Sequence, residues 1–210
     1  MLYRWEGASQ LARGRVIAII RTADASAALA AGRTLLAAGM PAVEVSLTVP
    51  RALDVIEELT ATASETMIGA GTVLDESSGR AALLAGATFL VSPSVAPDVG
   101  RTAATYGAPM VMGAGTATEA VAALEAGADL VKLFPAAAIG LETMKALRPA
   151  LPQVPFVPTG GIGLQDALAW LDAGAVAIGI GGSLTSGATD AIRGAASRLL
   201  GELSTHESSL

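Results

Sequence analysis

The chain has 210 residues, 52% of them hydrophobic and 15% charged, with a formal net charge of -6 and a sequence pI near 4.8. That length and apolar content suit one large core, and the acidic balance leaves no basic face to follow a nucleic-acid backbone, so no nucleic-acid partner is expected. There is no cysteine, and the one histidine, His206, stands in a polar tail, which removes thiol nucleophiles, thiolate zinc sites, Ser-His-Asp catalysis and histidine-rich metal sites. Lysine, carboxylates, hydroxyls and backbone amides remain for chemistry.

The opening Met1-Leu2-Tyr3-Arg4-Trp5-Glu6 lacks the basic-then-apolar order of a secretory signal, and no apolar run reaches the roughly 18 residues of a membrane span. A soluble cytoplasmic protein with no membrane partner is the expectation. Residues 1–14 read as an extra helix covering one end of the fold. From there, short apolar runs alternate with Ala- and Leu-rich helical patterns. Strands are predicted over 16–20, 42–47, 66–70, 89–92, 110–113, 130–134, 156–159 and 175–179. Helices such as 27–38, 52–62 and 119–125 lie between them, the last opened by a capping box of Thr116 with Glu119. Gly39, Gly86, Gly107, Gly127 and Gly174 each follow a helical pattern and precede an apolar run, which is the place of a helix C-cap. Eight alternating units predict an α/β fold, a (β/α)8 TIM barrel over residues 1–203 with the extra N-terminal helix, then a disordered tail over 204–210. An open doubly wound sheet is the competing architecture, but no G-x-G-x-x-G follows the first strand.

In a parallel barrel, chemistry gathers at the C-terminal ends of the strands. Lys132 stands inside the apolar run Leu130-Val131-Lys132-Leu133-Phe134, in a chain whose only other lysine is Lys145. An interior ammonium is costly unless paired, and burial of a lysine favours the free amine, which attacks ketones. Glu44 is similarly placed between Val43 and Val45. The period of two sets Glu44, Ser46 and Thr48 on one face of their strand, and Leu130, Lys132 and Phe134 on one face of theirs. Two such charges meeting inside a barrel point to catalysis, with a purely structural ion pair as the alternative. Arg21 closes the first strand. Small residues at Gly69-Ala70-Gly71-Thr72, Val91-Ser92-Pro93-Ser94 and Gly113-Ala114-Gly115-Thr116 leave room for a ligand, although Thr116 also reads as an ordinary helix cap. Thr159-Gly160-Gly161-Ile162 and Gly179-Ile180-Gly181-Gly182-Ser183 close strands seven and eight, where barrels hold phosphate on glycine amides and a following helix N-terminus; tight turns without a ligand are the alternative.

Six stretches in this order, Val43-Glu44-Val45, Ile68-Gly69-Ala70-Gly71-Thr72-Val73, Val91-Ser92-Pro93, Val131-Lys132-Leu133-Phe134-Pro135-Ala136, Val157-Pro158-Thr159-Gly160-Gly161-Ile162 and Gly179-Ile180-Gly181-Gly182-Ser183, carry a family resemblance. They resemble the motifs of the class I aldolases that cleave 2-keto-3-deoxy-6-phosphogluconate (KDPG) and 4-hydroxy-2-oxoglutarate (KHG). The resemblance implies that Lys132 forms a Schiff base, that Glu44 moves protons, and that Thr159, Gly160 and Gly161 with Gly181, Gly182 and Ser183 hold phosphate. Thr72, Pro93 and Phe134 would shape the wall around the keto acid. It implies a 2-keto acid substrate, pyruvate as product, no metal or organic cofactor, a homotrimer, and a place in Entner-Doudoroff carbohydrate metabolism.

One departure stands out. Some members carry an arginine four residues after the catalytic glutamate to hold the substrate carboxylate, and this chain has Thr48 there. Other members are similar to this chain in having Thr-Val-Pro at that place and an arginine ending strand one, which assigns the carboxylate to Arg21, with Arg51 second. Galactonate-type aldolases also lack the later arginine, so the phosphogalactonate epimer and KHG are alternative substrates. Outside enzymes, the alternative is a barrel that only binds a phosphorylated metabolite.

Overall fold

The computed structural model describes residues 3–207 and contains one eight-stranded parallel sheet. Its strands are β1 Val16–Ile20, β2 Ala42–Ser46, β3 Met67–Gly71, β4 Phe89–Val91, β5 Met110–Ala114, β6 Leu130–Leu133, β7 Phe156–Pro158 and β8 Ile178–Ile180. Helix α1 Arg4–Gly14 precedes β1, and α2 Ala25–Ala37, α3 Ala52–Thr62, α4 Glu76–Leu84, α5 Pro97–Tyr106 and α6 Ala117–Glu125 follow β1 to β5 in turn. After β6 come α7 Ala136–Ile139 and α8 Leu141–Ala150, after β7 comes α9 Ala167–Asp172, and after β8 come α10 Gly182–Thr185 and α11 Thr189–Glu207. Neighbours pair in the order β7-β6-β5-β4-β3-β2-β1-β8, and a parallel bridge between Thr159 and Gly179 joins the two ends into a barrel. This is the (β/α)8 architecture that the alternation predicts. No helix among the described residues is long and apolar enough to cross a membrane.

Every strand residue is buried, and the period of two divides them into two cores. Residues such as Val16, Ala18, Ile20, Val43, Val45, Ile68 and Ala70 pack outward against the helices. Ile17, Ala42, Met67, Phe89, Val111, Leu130, Val157 and Ala177 fill the inside, and Leu11 of α1 joins them. Leu11 is 1% exposed, so α1 plugs the N-terminal end of the barrel. Arg4 Nε fastens α1 to Asp129 at 2.8 Å, and the same carboxylate accepts the Met110 N–H at 2.8 Å.

Above that apolar layer the interior positions turn to glycine. A methyl at Gly69 would overlap the Phe89 ring, one at Gly113 the Pro93 backbone, and one at Gly179 the Thr159 hydroxyl. Close approach therefore excludes any side chain at these three places.

Local signals account for most helix boundaries. Gly39, Gly86, Gly107, Gly127 and Gly174 all take positive φ, the left-handed C-cap that their placement predicts. Of the expected capping box, the Thr116 half forms, with Thr116 Oγ1 accepting the Glu119 N–H at 3.2 Å, while the Glu119 carboxylate takes the Gly115 N–H at 2.9 Å. The strands are displaced from expectation where a cap consumes residues. Strand β8 begins at Ile178 rather than 175 because the Ala175 N–H closes the end of α9 on the Trp170 carbonyl at 3.1 Å. The C-terminal tail is also corrected: residues 204–207 continue α11, and 208–210 lie outside the described residues. His206, expected in that tail, docks instead, with Nε2 2.6 Å from Asp172 Oδ1 and Nδ1 2.9 Å from Arg15 Nη2.

Two expectations follow. At the start of α4, Asp75 accepts from the Ser78 hydroxyl at 2.6 Å and the Ser78 N–H at 2.8 Å, and these bonds hold its carboxyl below the ordinary value. A lowered folded pKa gives stability that is complete above the unfolded value and is lost as pH falls through the folded one. Asp75→Ala should therefore lower the urea midpoint at neutral pH, with the gap from the parent closing below about pH 4. A gap constant down to acid pH would assign the loss to something other than the carboxylate. Secondly, Gly113→Ala should destabilise by roughly 1–3 kcal/mol or more in urea unfolding. Gly194→Ala, in α11 with nothing within 4 Å, should instead stabilise by roughly 0.5–1 kcal/mol.

Candidate active site

Glu44 on β2 and Lys132 on β6 both project into the barrel, at 2% and 5% exposure. Lys132 Nζ lies 3.7 Å from Glu44 Oε1. Isolated charges at such burial would be prohibitive, so each needs the other. The separation is nonetheless longer than a hydrogen bond, and Glu44 Oε1 has no hydrogen-bond partner among the described residues. Lys132 Nζ also sits 5.4 Å from the centre of the Phe134 ring, within cation–π range.

The space for Glu44 comes from β3. A methyl at Gly71 would overlap Glu44 Oε1, so the room that Gly71 leaves holds this carboxylate rather than a ligand, as the small-residue pattern had suggested. Just above, Ser46 is fully buried and its Oγ lies 2.8 Å from Thr48 Oγ1 and 2.9 Å from Thr72 Oγ1. These hydroxyls form one cluster across the ends of β2 and β3.

Opposite this cluster, a cavity of about 540 Å³ opens at the C-terminal ends of β1, β6, β7 and β8. Arg21, Lys132, Phe134, Thr159, Gly160, Gly161, Gly181, Gly182 and Ser183 all line it, so nine of the residues singled out from the sequence meet there. Glu44 reaches this space through Lys132, while Thr72 and Pro93 stand outside its lining, Thr72 in the hydroxyl cluster and Pro93 against Gly113. Arg21 is exposed and has no ion-pair partner among the described residues. Arg51 is not brought to the cavity; it is exposed and paired with Asp54 Oδ2 at 2.6 Å.

The two glycine loops are held by backbone and by each other. Gly160 and Gly161 have φ of +94° and +77°, a conformation that suits glycine, and α7 is tied to them by Ala136 N–H to Thr159 O at 2.7 Å and Ala137 N–H to Gly160 O at 2.9 Å. Ser183 Oγ donates to Ile162 O at 3.3 Å and links one loop to the other. Among the described residues no backbone carbonyl accepts the N–H of Gly161, Ile162 or Gly181, while the bridge that closes the barrel turns the Gly160 N–H toward Gly179 O. These amides are the donors that the cavity offers an anion. The expected helix N-terminus contributes little, because α10 has only four residues and β7 is followed by the single 3-10 turn Leu164–Asp166. Thr185, which the sequence did not single out, is buried and donates from Oγ1 to Ile19 O at 3.0 Å, bracing the strand that carries Arg21. Its place in a helical turn hides this role. No group of three or more His, Asp or Glu side chains among the described residues is arranged to hold a metal ion.

This arrangement puts an amine and a guanidinium on one pocket of metabolite size, with a buried carboxylate behind the amine. Comparison with known proteins places it. Residues 8–194 match the family model described as "Aldolase: KDPG and KHG aldolase". The chain is 37% identical over 171 residues to the 2-dehydro-3-deoxy-6-phosphogalactonate aldolase of Escherichia coli strain K12, covering 80% of this chain and 83% of the relative. The KDPG aldolase of Zymomonas mobilis ZM4, solved with 3-phosphoglycerate, matches at a TM-score of 0.81 and 30% identity over 91% of this chain and 93% of that one. The KDPG aldolase of Legionella pneumophila, with pyruvate captured at low pH as a covalent carbinolamine intermediate, matches at 0.82 and 28% identity over 92% and 97%. With the family model running from α1 into α11 across all eight strands, this chain belongs to the KDPG and KHG aldolase family.

Proposed function

We propose that the protein is a class I aldolase that cleaves KDPG reversibly to pyruvate and glyceraldehyde 3-phosphate. The observation that carries this reading is the buried Lys132 amine, 3.7 Å from Glu44, on a cavity rimmed by two glycine loops. The carbinolamine of pyruvate in the Legionella pneumophila relative supports an amine as nucleophile.

In this mechanism Lys132, as its free amine, adds to the C2 carbonyl of the keto acid, and water leaves to give an iminium. Glu44 takes the C4 hydroxyl proton, directly or through one water. The C3–C4 bond then breaks, its electron pair moves toward the iminium nitrogen, and the aldehyde departs from an enamine of pyruvate. Glu44 returns the proton to C3, and hydrolysis of the new iminium frees pyruvate and the lysine. Phe134 packs beside the amine, and Thr72 and Pro93, which follow β3 and β4 outside the cavity lining, back the wall around the keto acid. The phosphate is held by the amides of the Thr159, Gly160 and Gly161 loop and of the Gly181, Gly182 and Ser183 loop. Arg21 serves an anionic end of the substrate. Its fork suits the carboxylate, as the sequence reading assigns, and its place beside the β8 loop also brings it toward the phosphate. The same reading carries a homotrimer in the cytoplasm, a role in Entner-Doudoroff metabolism, and no metal or organic cofactor.

A second substrate is favoured by two observations. Thr48 stands where some members have arginine, and the Escherichia coli relative at 37% identity is the phosphogalactonate enzyme. Comparing kcat/KM for KDPG, its galactonate epimer and unphosphorylated KHG separates these.

Incubation with pyruvate and sodium borohydride, followed by intact-mass analysis and peptide mapping, should give a reduced pyruvyl adduct on Lys132 and none in Lys132→Met. A folded parent protein with active reductant and no adduct would sink the reading. Glu44→Gln should lower kcat by about 10²–10⁴-fold. Arg21→Ala should raise KM by roughly tenfold or more. An effect shared by KDPG and KHG places Arg21 on the carboxylate, and one confined to KDPG places it on the phosphate.

A further inference from the structure

Glu44 carries the proton from the C4 hydroxyl to C3 in the proposed reaction, yet among the described residues no hydrogen bond anchors its Oε1. Packing must therefore aim it. On one side is Lys132, and on the other the gap at Gly71, which Glu44 fills. The next residue, Thr72, has φ +59°, a left-handed conformation that is an outlier for a β-branched side chain. Such a conformation persists only where its surroundings over-determine it.

Backbone bonds hold the residues on either side, Leu47 N–H to Gly71 O at 2.8 Å and Val73 N–H to Val91 O at 3.0 Å, and Ser46 is the group that holds the Thr72 side chain. It lies opposite Gly71 in the β2 and β3 register, two residues beyond Glu44 on the same face. Its hydroxyl lies 2.9 Å from Thr72 Oγ1 and 2.8 Å from Thr48 Oγ1, and it accepts the Thr48 N–H at 3.3 Å. Its bond to Thr72 therefore closes the gap between the strands just beyond the Glu44 carboxylate. Ser46 has no exposed surface and does not line the cavity, so any effect it has on the reaction passes through its neighbours.

We propose that Ser46 is a positioning residue: its hydroxyl locks Thr72 in the left-handed turn and so keeps the wall that holds Glu44 facing Lys132. This rests on the aldolase reading of Lys132 and Glu44. Without the hydroxyl, Thr72 relaxes toward ordinary backbone angles, Glu44 gains room to swing, and a misaimed base slows the proton steps more than it weakens binding.

The experiment compares the parent with Ser46→Ala and Ser46→Thr, each also made in a Thr72→Gly background. Active sites are counted as pyruvate adducts reduced onto Lys132, and kcat is expressed per adduct-forming site. Ser46→Ala should lose about tenfold in kcat with KM within about twofold, and Ser46→Thr, which keeps the hydroxyl, should stay within about threefold of the parent. In the Thr72→Gly background, where glycine holds the left-handed turn unaided, Ser46→Ala should change kcat by less than about twofold. A purely structural Ser46 would lower the number of sites or the melting temperature and leave kcat per site unchanged, which overturns the proposal. So does a tenfold loss that persists at full size with Thr72→Gly. Should Ser46→Ala fail to fold, Ser46→Cys keeps the volume with a weaker donor and carries the same comparison. A parent that forms no adduct fails the aldolase reading itself, a result distinct from either of these.

Discussion

A lysine and a glutamate buried 3.7 Å apart in an apolar barrel are the constraint around which the rest of the molecule is arranged. Neither Lys132 nor Glu44 is tolerable alone at that depth, and their attraction repays desolvation only in part. The barrel answers by dividing its interior. Toward the N-terminal end, Phe89, Leu130, Val111 and Met67 pack densely beneath the plug of Leu11 and supply stability. Above them Gly69, Gly71, Gly113 and Gly179 stand where any methyl would overlap a neighbour, and at Gly71 that neighbour is the Glu44 carboxylate.

The cavity continues the same economy. Apart from Lys132, Arg21 is the one cationic side chain in its lining, and the remaining polarity comes from hydroxyls and backbone amides of the β7 and β8 loops. Backbone donors cost no side-chain entropy to order, and their positions are set by the strands that precede them. The Ser183 to Ile162 bond and the α7 contacts keep the two loops in one geometry. Across the barrel, the cluster of Ser46, Thr48 and Thr72 orders the other wall with three short side chains. A family of aldolases with different sugar acids fits this design, because the central pair and the loops around it sit on different strands.

Much of this was legible beforehand, and the misses have physical causes. The five glycine caps, the Thr116 N-cap and the first strand are local features, decided by residues within one turn, and they stand where the pattern puts them. Strand β8 begins three residues later than the periodicity predicts because the Ala175 N–H closes the cap of α9, while Val176 makes a single bond to Phe156 O of β7 before the ladder starts. His206 read as tail because its partners, Asp172 and Arg15, are remote in the chain. Ser46 and Thr185 escaped notice as functional positions for the same reason, since a small hydroxyl residue carries no signal until its acceptor is known. Arg51 was a candidate by proximity in sequence alone, and its partner proved to be Asp54.

By itself, then, the sequence determined the alternation of eight strands with helices, the absence of thiol and histidine chemistry, and the presence of a lysine and a glutamate in apolar strands. Those are properties of composition and of short-range periodicity. Only the tertiary structure decided that Glu44 faces Lys132 from four strands away, that Gly71 makes way for the carboxylate, and that Arg21 joins the glycine loops. These depend on sheet register and barrel closure, which bring together residues that no local pattern relates.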